Sequence, residues 1–484
     1  MKSPLPANQP KLYSGEFLEQ LNPRHELLLT MRFINWEALD SRYGASFTIR
    51  HGRPSLPTRV IIGLLLLKYM FDESDESVCD RFVENPYWQA FCGFQTFQHK
   101  PPCDPSSLVR WRHRMGDDLE GLLKETIEAA LRAKALKQKA MNEVIVDTTV
   151  MEKAVAHPSD AQLLYKMQKR LVREARARGI ELPRTWLRPA KRALERHGTL
   201  RRSTRKDRRR KARRELRRLR TLCGRLLRAV ERGAMATNPE QGKLLMGAAL
   251  GQAGNRDEAL LRELALARKV IEQSRGKTPV GEKVFALHAP EVECIGKGKP
   301  RKPWEFGVRT SLTVTAKKHP FITGCFTAPR VPYDGETLKP AARQHQRVTG
   351  VKPVWMAADL GYRGREYHPD GVGVILSRTR KLGGALKRFM RRRSAIEPVI
   401  GHCKQSHRME RNYLLGERGD HNNAILSACA WNLMQIWRHL ARTGRLLLRL
   451  LRLLAAWWRL QTMDQIIPAP PGRPFQSFAS RLAA

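Results

Sequence analysis

The stretch Glu143-Val-Ile-Val-Asp147-Thr-Thr-Val150 decides the fold, because β-branched apolar residues in a short run are typical of a strand covered on both faces. The run predicts a buried strand that ends by presenting the carboxylate of Asp147. Such a stiff element suits a catalytic or metal-binding group. The structural alternative is that Asp147 only caps the following turn through its side chain. Asp147 is therefore a candidate catalytic residue whose role depends on other acids.

More strands follow from Lys283 onward, where the chain changes from helical to strand-like. Apolar or alternating runs predict strands at 284–287, 304–314, 320–326, 351–359 and 372–376. A helix from Asp334-Gly-Glu-Thr337 to about residue 348 separates two of them. Asp359 ends the 351–359 strand as Asp147 ends the first, and Glu397 follows in a segment that is helical from about residue 395.

Asp147, Asp359 and Glu397 together can form an all-oxygen site. Oxygen ligands select Mg²⁺ or Mn²⁺, and two such ions about 4 Å apart can activate a water and stabilise the leaving oxygen in phosphodiester cleavage. The alternative for Glu397 is a surface acid paired with an arginine at 391–393. His402, Cys403 and His407 have no partner cysteine pair, so we expect no zinc site.

The composition favours a polyanionic partner. The 484 residues include 89 Lys plus Arg against 46 Asp plus Glu, a formal charge of +43, so nucleic acid is the first candidate and a membrane surface the second. Eight cysteines without a C-x-x-C pair indicate buried thiols in a reducing compartment. No signal peptide or membrane span is predicted, so we expect a cytoplasmic, nucleoid-associated protein.

The first third of the chain is predicted to be helical. Residues 1–50 are a loose N-terminal arm, and residues 51–140 form an all-α DNA-binding domain of the helix-turn-helix kind. Its helix at 106–115 is the expected DNA-facing element and carries Arg110, Arg112 and Arg114. A purely structural helical module is an equally good interpretation of these short capped helices.

Residues 160–279 are predicted to be a long basic helical insertion. Thirteen Lys or Arg and two acids lie between 201 and 220, Arg208, Arg209 and Arg210 among them, around an apolar leucine stripe. We expect a surface that tracks DNA phosphates, the alternative being a solvated helix face. Beyond it, residues 433–484 form a C-terminal helix and tail, with separate helices predicted at 424–440 and 444–460.

Three motifs resemble those of insertion-sequence DDE transposases of the insertion sequence 5 family. They are Asp147-Thr-Thr, Asp359-Leu-Gly-Tyr-Arg-Gly, and an R-x3-E-x6-K arrangement made by Arg393, Glu397 and Lys404. The resemblance covers residues 54 to about 431 and implies an α/β RNase H-like catalytic domain, residues 141–159 and 280–432, with a mixed five-stranded sheet flanked by helices. Met390 stands where a related pattern has a tyrosine, so no mechanism that needs that tyrosine is implied.

The resemblance implies an enzyme that cuts the inverted repeats at the ends of its element and joins them to target DNA. The expected cofactor is Mg²⁺ or Mn²⁺, with two ions per site. Arg393 and Lys404 are expected to contact DNA phosphates, the alternative being solvated charge. Because one chain offers one triad, a homo-oligomer on DNA is expected. The competing hypotheses are a catalytically inactive transposase-derived repressor and a basic ribonucleoprotein component.

Overall fold

The computed structural model describes residues 15–45, 55–116, 118–237, 255–296, 302–330, 333–379 and 382–464. The helices are α1 (Gly15–Glu19), α2 (Glu26–Met31), α3 (Trp36–Gly44), α4 (Thr58–Met70), α5 (Asp75–Glu84), α6 (Pro86–Phe91), α7 (Pro105–Met115), α8 (Glu120–Arg132), α9 (Asp160–Ala177), α10 (Leu187–Arg201), α11 (Lys206–Thr237), α12 (Asn255–Gln273), α13 (Leu338–Thr349), α14 (Gly384–Arg391), α15 (Ile396–Ser406) and α16 (Gly416–Asp464). The strands are β1 (Glu143–Lys153), β2 (Glu293–Gly296), β3 (Trp304–Thr315), β4 (Ile322–Thr327), β5 (Trp355–Ala358), β6 (Gly373–Leu376) and β7 (Arg411–Asn412).

The strands form one mixed sheet around β1. Its order is β2-β3-β1-β5-β6, with β4 also paired to β3 and β7 to β1. β1 runs antiparallel to β3 along nearly its whole length and parallel to β5, which is parallel to β6. The described residues thus form seven strands rather than five, because β2 and β7 are short additions at the ends of β3 and β1.

Both faces of β1 are covered, as its apolar run predicts. Val144 and Val146 pack with Leu338 of α13 on one face. Ile145 belongs to the larger core on the other face, where Val399 of α15 and Leu433 of α16 also lie. The site-bearing strand is therefore held between two helical layers.

The N-terminal helices share that larger core with the sheet. Every residue of α4 except Arg59 is buried, and the hydroxyl of Tyr69 donates a 2.8 Å hydrogen bond to Asn423 of α16. The prediction of a loose arm up to residue 50 is wrong for 15–45, since three helices form there and bury Leu27 and Leu39 in the same core.

The basic insertion is helical, as predicted. α9, α10, α11 and α12 enclose a second core that is distinct from the sheet core and includes Leu164, Leu219, Leu226 and Val270. The leucine stripe of the basic segment faces this core, so the arginines of α11 occupy the outer surface. Charge and packing are thereby separated on opposite faces of one helix.

Two predicted boundaries differ from the structure. The predicted strand at 284–287 is wrong, because the amide of Val284 donates to the side chain of Gln273 at 2.8 Å rather than to a neighbouring strand. The predicted break before 444 is also wrong: Gly444 lies inside the single helix α16.

Every helix in the described part of the chain is too short or too polar to span a bilayer. All eight cysteines are free thiols. The tail at 466–484 lies outside the described residues.

Candidate active site

Asp147 lies within β1, half-buried and paired across the ladder with Leu312 of β3. The prediction that the strand ends at this acid is wrong, because β1 continues along β3 as far as Lys153. Side chains of a strand alternate between faces, so Asp147 shares its face with Ile145. This is the face on which α15 packs.

Asp359 follows directly after β5 and stands beside Asp147. β1 and β5 pair in parallel, with Ile145 opposite Ala357. Extended by two residues, this register places the two aspartates at neighbouring positions. The charge of Asp359 also raises the pKa of Asp147, which requires the two carboxylates to be close. The sequence prediction that these acids come together is supported by this geometry.

The carboxylate of Asp359 is exposed but fixed in place. Its Oδ1 accepts a 2.7 Å hydrogen bond from the hydroxyl of Ser377 and another from the amide of Leu360. The Ser377 hydrogen bond is the main cause that holds the pKa of Asp359 below its usual range, with Arg393 contributing in the same direction. Asp359 is thus ready to act as an ionised ligand.

Asp147 has the opposite electrostatic character. Burial raises the pKa of its carboxyl to about 6, and the charges of Asp359 and Asp334 act in the same direction. The amide of Thr148, which donates to Asp147 Oδ1 at 2.8 Å, and the charge of Arg393 only partly offset this effect. A nearby positive charge would therefore stabilise the ionised form of Asp147.

Arg393 is the cation that joins the predicted acids. Its charge acts on Asp147 and Asp359, and its Nη2 lies 3.8 Å from Glu397 Oε1. Only 20% of its side chain is exposed, against 63% for Glu397. Arg393 is turned toward the acids, a position that the prediction of a phosphate contact did not include.

Glu397 and Lys404 lie on α15, which packs against β1. Lys404 is half-buried and Glu397 is exposed. Glu397 is not gathered with the aspartates: no three His, Cys, Asp or Glu side chains among the described residues are close enough to hold a metal ion. The Glu397 carboxylate is exposed to solvent beside Arg393, and its place in one metal site with the two aspartates stays a prediction.

The two aspartates still fit a hard divalent cation in their chemistry. Both offer carboxylate oxygens, the donor type that Mg²⁺ and Mn²⁺ prefer. Asp147 forms no ion pair within the described residues, and its raised pKa indicates a charge that lacks compensation. A cation between Asp147 and Asp359 would supply that compensation.

Asp334 and Arg309 are site residues that the sequence analysis missed. Arg309 of β3 donates to Asp334 Oδ1 at 2.6 Å, and the hydroxyl of Thr148 donates to the same oxygen at 2.8 Å. A charged residue inside a mostly buried strand such as β3 requires a partner, but the sequence does not show that the partner of Arg309 is Asp334. The sequence pattern around Asp334 predicts only the start of a helix.

The structure separates the three arginines of α7. Arg110 and Arg114 are exposed and line a groove of about 560 Å³ beside Trp111. Arg112 is 4% exposed and makes a bidentate ion pair with Asp75. The prediction that Arg112 binds DNA is wrong, because its guanidinium is occupied inside the core.

Arg208, Arg209 and Arg210 are all exposed on the first turns of α11. Their exposure is compatible with the predicted phosphate contacts, and it is equally compatible with a solvated face. The interpretation as a DNA surface stays a prediction.

Comparison with known proteins identifies two matching families and one similar protein. A family described as "Transposase domain (DUF772)" matches residues 16–114, and one described as "Transposase DDE domain" matches residues 281–433. The chain is also similar to "Uncharacterized protein ORF8 in nfe locus" of Rhizobium meliloti, with 46% identity over 177 residues, 36% of this chain and 85% of that protein. No solved structure matches the chain. The second match includes Asp359, Arg393 and Glu397, whereas Asp147 precedes it.

Proposed function

The chain belongs to the transposases that carry a DDE domain, and from this premise we propose that it cleaves DNA at the ends of an insertion sequence and joins those ends to a target. The observation that carries the proposal is that Asp147 of β1 lies beside Asp359, which directly follows the neighbouring parallel strand β5. A pair of carboxylates on stiff elements is what metal-dependent phosphodiester chemistry requires. Assignment to the insertion sequence 5 family is part of the proposal.

Asp147, Asp359 and Glu397 would hold the divalent ions, Mg²⁺ or Mn²⁺. When bound, such ions activate a water or hydroxyl nucleophile and stabilise the leaving oxygen of the phosphodiester. The contribution of the chain is to position the carboxylates. Glu397 lies on α15, which packs against β1, and in the proposal its side chain turns from solvent toward the aspartates when metal binds.

Arg393 has two roles in the proposal. Before DNA arrives, its charge favours the ionised forms of both aspartates, although burial still keeps the pKa of Asp147 above its usual range. When a DNA phosphate enters, the guanidinium is placed to pair with it, because arginine matches phosphate geometry. Lys404, on the same helix as Glu397, would contact the adjoining phosphate.

DNA would be held mainly by exposed cations outside the site. Arg110 and Arg114 on α7 and Arg208, Arg209 and Arg210 on α11 are the proposed contacts. Phosphate contacts of this kind position the duplex without reading its sequence. The terminal inverted repeats and the target DNA are the proposed partners, with two or more chains on a pair of ends.

The test uses a plasmid that carries the reading frame's native flanking DNA, with purified protein and Mg²⁺ or Mn²⁺. We expect strand cleavage at the element ends by the wild type and none by Asp147→Asn or Asp359→Asn. Asp370→Asn, which changes an exposed acid in the same domain, is the matched control and should cleave normally. Retained cleavage by either site variant would remove that residue from the mechanism.

A second candidate function is favoured by one observation, the separation of Glu397 from the aspartates. A chain that cannot assemble three carboxylates would bind element ends without cutting them and act as a repressor. The same assay separates the two functions. Tight binding of the flanking DNA without cleavage in either metal would favour the repressor.

A further inference from the structure

Asp334 occupies a position where three parts of the catalytic sheet meet. It begins a 3₁₀ turn, Asp334–Thr337, immediately before α13. Its Oδ1 accepts a 2.8 Å hydrogen bond from the hydroxyl of Thr148 and forms a 2.6 Å ion pair with Arg309. Thr148 is the neighbour of Asp147 in β1, so the first contact reaches the strand that bears the first acid.

The other carboxylate oxygen faces the loop that bears the second acid. A Cβ added to Gly361 would lie 3.2 Å from Asp334 Oδ2, so the loop backbone approaches this oxygen closely. Next to Asp334, the hydroxyl of Tyr333 donates a 2.5 Å hydrogen bond to the carbonyl of Arg363. Residues 333 and 334 therefore hold the 359–363 loop as well as β1.

The ion pair with Arg309 argues against a direct metal role for Asp334. Arg309 already neutralises the carboxylate, and Oδ1 has two donors. The side chains of Arg309 and Asp334 are 18% and 32% exposed, so the pair is shielded from solvent more than a surface pair. A cation would have to displace the guanidinium to bind there.

We infer that Asp334, held by Arg309, is a positioning residue that fixes the spacing between Asp147 and Asp359. This inference rests on the proposed function in assigning the two aspartates to a metal site. Asp334 acts through Thr148 on one acid and through the Gly361 turn on the other. Partners of this kind set the orientation of metal ligands, and their loss costs about 10–100-fold in metal affinity.

The decisive variants separate charge from shape. Asp334→Asn keeps an oxygen that can accept from Thr148 but leaves the charge of Arg309 without its partner. Combining it with Arg309→Gln gives an uncharged pair that can still hydrogen-bond. Glu336→Gln, an exposed acid in the same 3₁₀ turn, is the matched control.

Two measurements are made on the full-length protein without DNA. Hydrogen–deuterium exchange follows the peptides that cover 145–149 and 359–364, and electron paramagnetic resonance follows Mn²⁺ binding. For Asp334→Asn we expect exchange about 10-fold faster in both peptides, since a tie between them is lost, and Mn²⁺ binding weaker by about 10-fold. The double variant should recover most of both effects, and the Glu336→Gln control should match the wild type.

Unchanged exchange in both peptides of Asp334→Asn would overturn the inference, whatever the protein does with DNA. Faster exchange with unchanged Mn²⁺ binding would overturn it too, because Asp334 would then be purely structural. If Asp147→Asn binds Mn²⁺ as tightly as the wild type does, the proposed metal site is wrong instead. In that case, hydrogen–deuterium exchange of the two peptides would still test whether Asp334 joins β1 to the 359–363 loop.

Discussion

Arg112 holds both carboxylate oxygens of Asp75, with its Nη1 and Nη2 at 2.8 and 2.6 Å, although α7 was expected to present this arginine to DNA. Lys68 lies 2.8 Å from the same carboxylate. Burial lowers the pKa of Lys68 to about 8, with the charge of Arg112 acting in the same direction. This cluster joins α4, α5 and α7. Helix α7 therefore carries a buried arginine, Arg112, as well as the exposed Arg110 and Arg114.

Replacing Arg112 by Met should lower the free energy of unfolding by about 3 kcal/mol, because Asp75 would keep only one of its two cationic partners in the core. Arg110→Met, on the exposed face, should change it by less than about 0.5 kcal/mol. Urea unfolding followed by tryptophan fluorescence measures both. Equal midpoints for the two variants would show that the buried pair contributes little.

The stability of the protein should fall with acidification through the titration of His345. Burial lowers its pKa to about 4, and Nδ1 lies 2.8 Å from Thr323 Oγ1. The unfolded chain binds this proton below pH about 6.5 while the folded one does not, so stability is lost as pH falls from 6.5 to 4, by about 3 kcal/mol at most.

His345→Gln should flatten the pH dependence of the urea midpoint between 6.5 and 4. The control is His99→Gln, which changes an exposed histidine outside the catalytic domain. An identical pH dependence in wild type and His345→Gln would refute this assignment.

Changing Arg208, Arg209 and Arg210 to Gln together should weaken binding to every DNA sequence. Each lost phosphate contact removes about 0.9 from the slope of log affinity against log salt, so three should remove between two and three. The measurement is fluorescence anisotropy at several salt concentrations. The control variant changes Arg262, Arg268 and Arg275 to Gln. It loses the same number of charges, from arginines that are each already paired with a glutamate. Equal slopes for both triple variants would identify the α11 arginines as a solvated face.

Glu397→Gln should reduce cleavage of the element ends by at least about 1000-fold, the order expected when a metal-dependent reaction loses a ligand. Binding of end DNA should stay within a few-fold, since exposed cations provide it. Glu410→Gln, an exposed acid beyond α15, is the control. Normal cleavage by Glu397→Gln would mean that the site works with the two aspartates alone.

The active complex should contain at least two chains on a pair of cleaved ends, because each chain supplies one set of acids and two ends must be joined. Light scattering after size exclusion, with protein and end DNA in Mg²⁺, measures the mass. A complex with one chain that nevertheless joins paired ends would contradict this expectation.

Much of the sheet could be predicted because its strands have short-range signals. β1, β3, β4, β5 and β6 each lie in an apolar or alternating run, and Asp359 stands at its predicted strand end. β2 and β7 could not be found this way, because neither lies in an apolar or alternating run and their pairing with β3 and β1 is long-range.

The sequence could predict the two aspartates of the candidate site but not the residues that hold them in position. Asp147 and Asp359 were recognisable by type and context, whereas Asp334 and Arg309 act through contacts between strands that local patterns do not reveal. The error for Arg112 has the same origin: an arginine on a basic helix resembles its neighbours until Asp75 is placed beside it. A sequence gives the charge of each side chain, but tertiary packing sets the direction in which that side chain points.

The hydrogen bond between Tyr69 of α4 and Asn423 of α16 joins residues 354 positions apart. During synthesis the face of α4 that packs on α16 therefore stays uncovered until the first turns of α16 have been made, a period in which chaperones would have to protect it. A copy of the gene interrupted before residue 420 should yield an aggregating product that is degraded. Decayed copies would then produce no folded fragment able to compete with the intact protein for DNA ends.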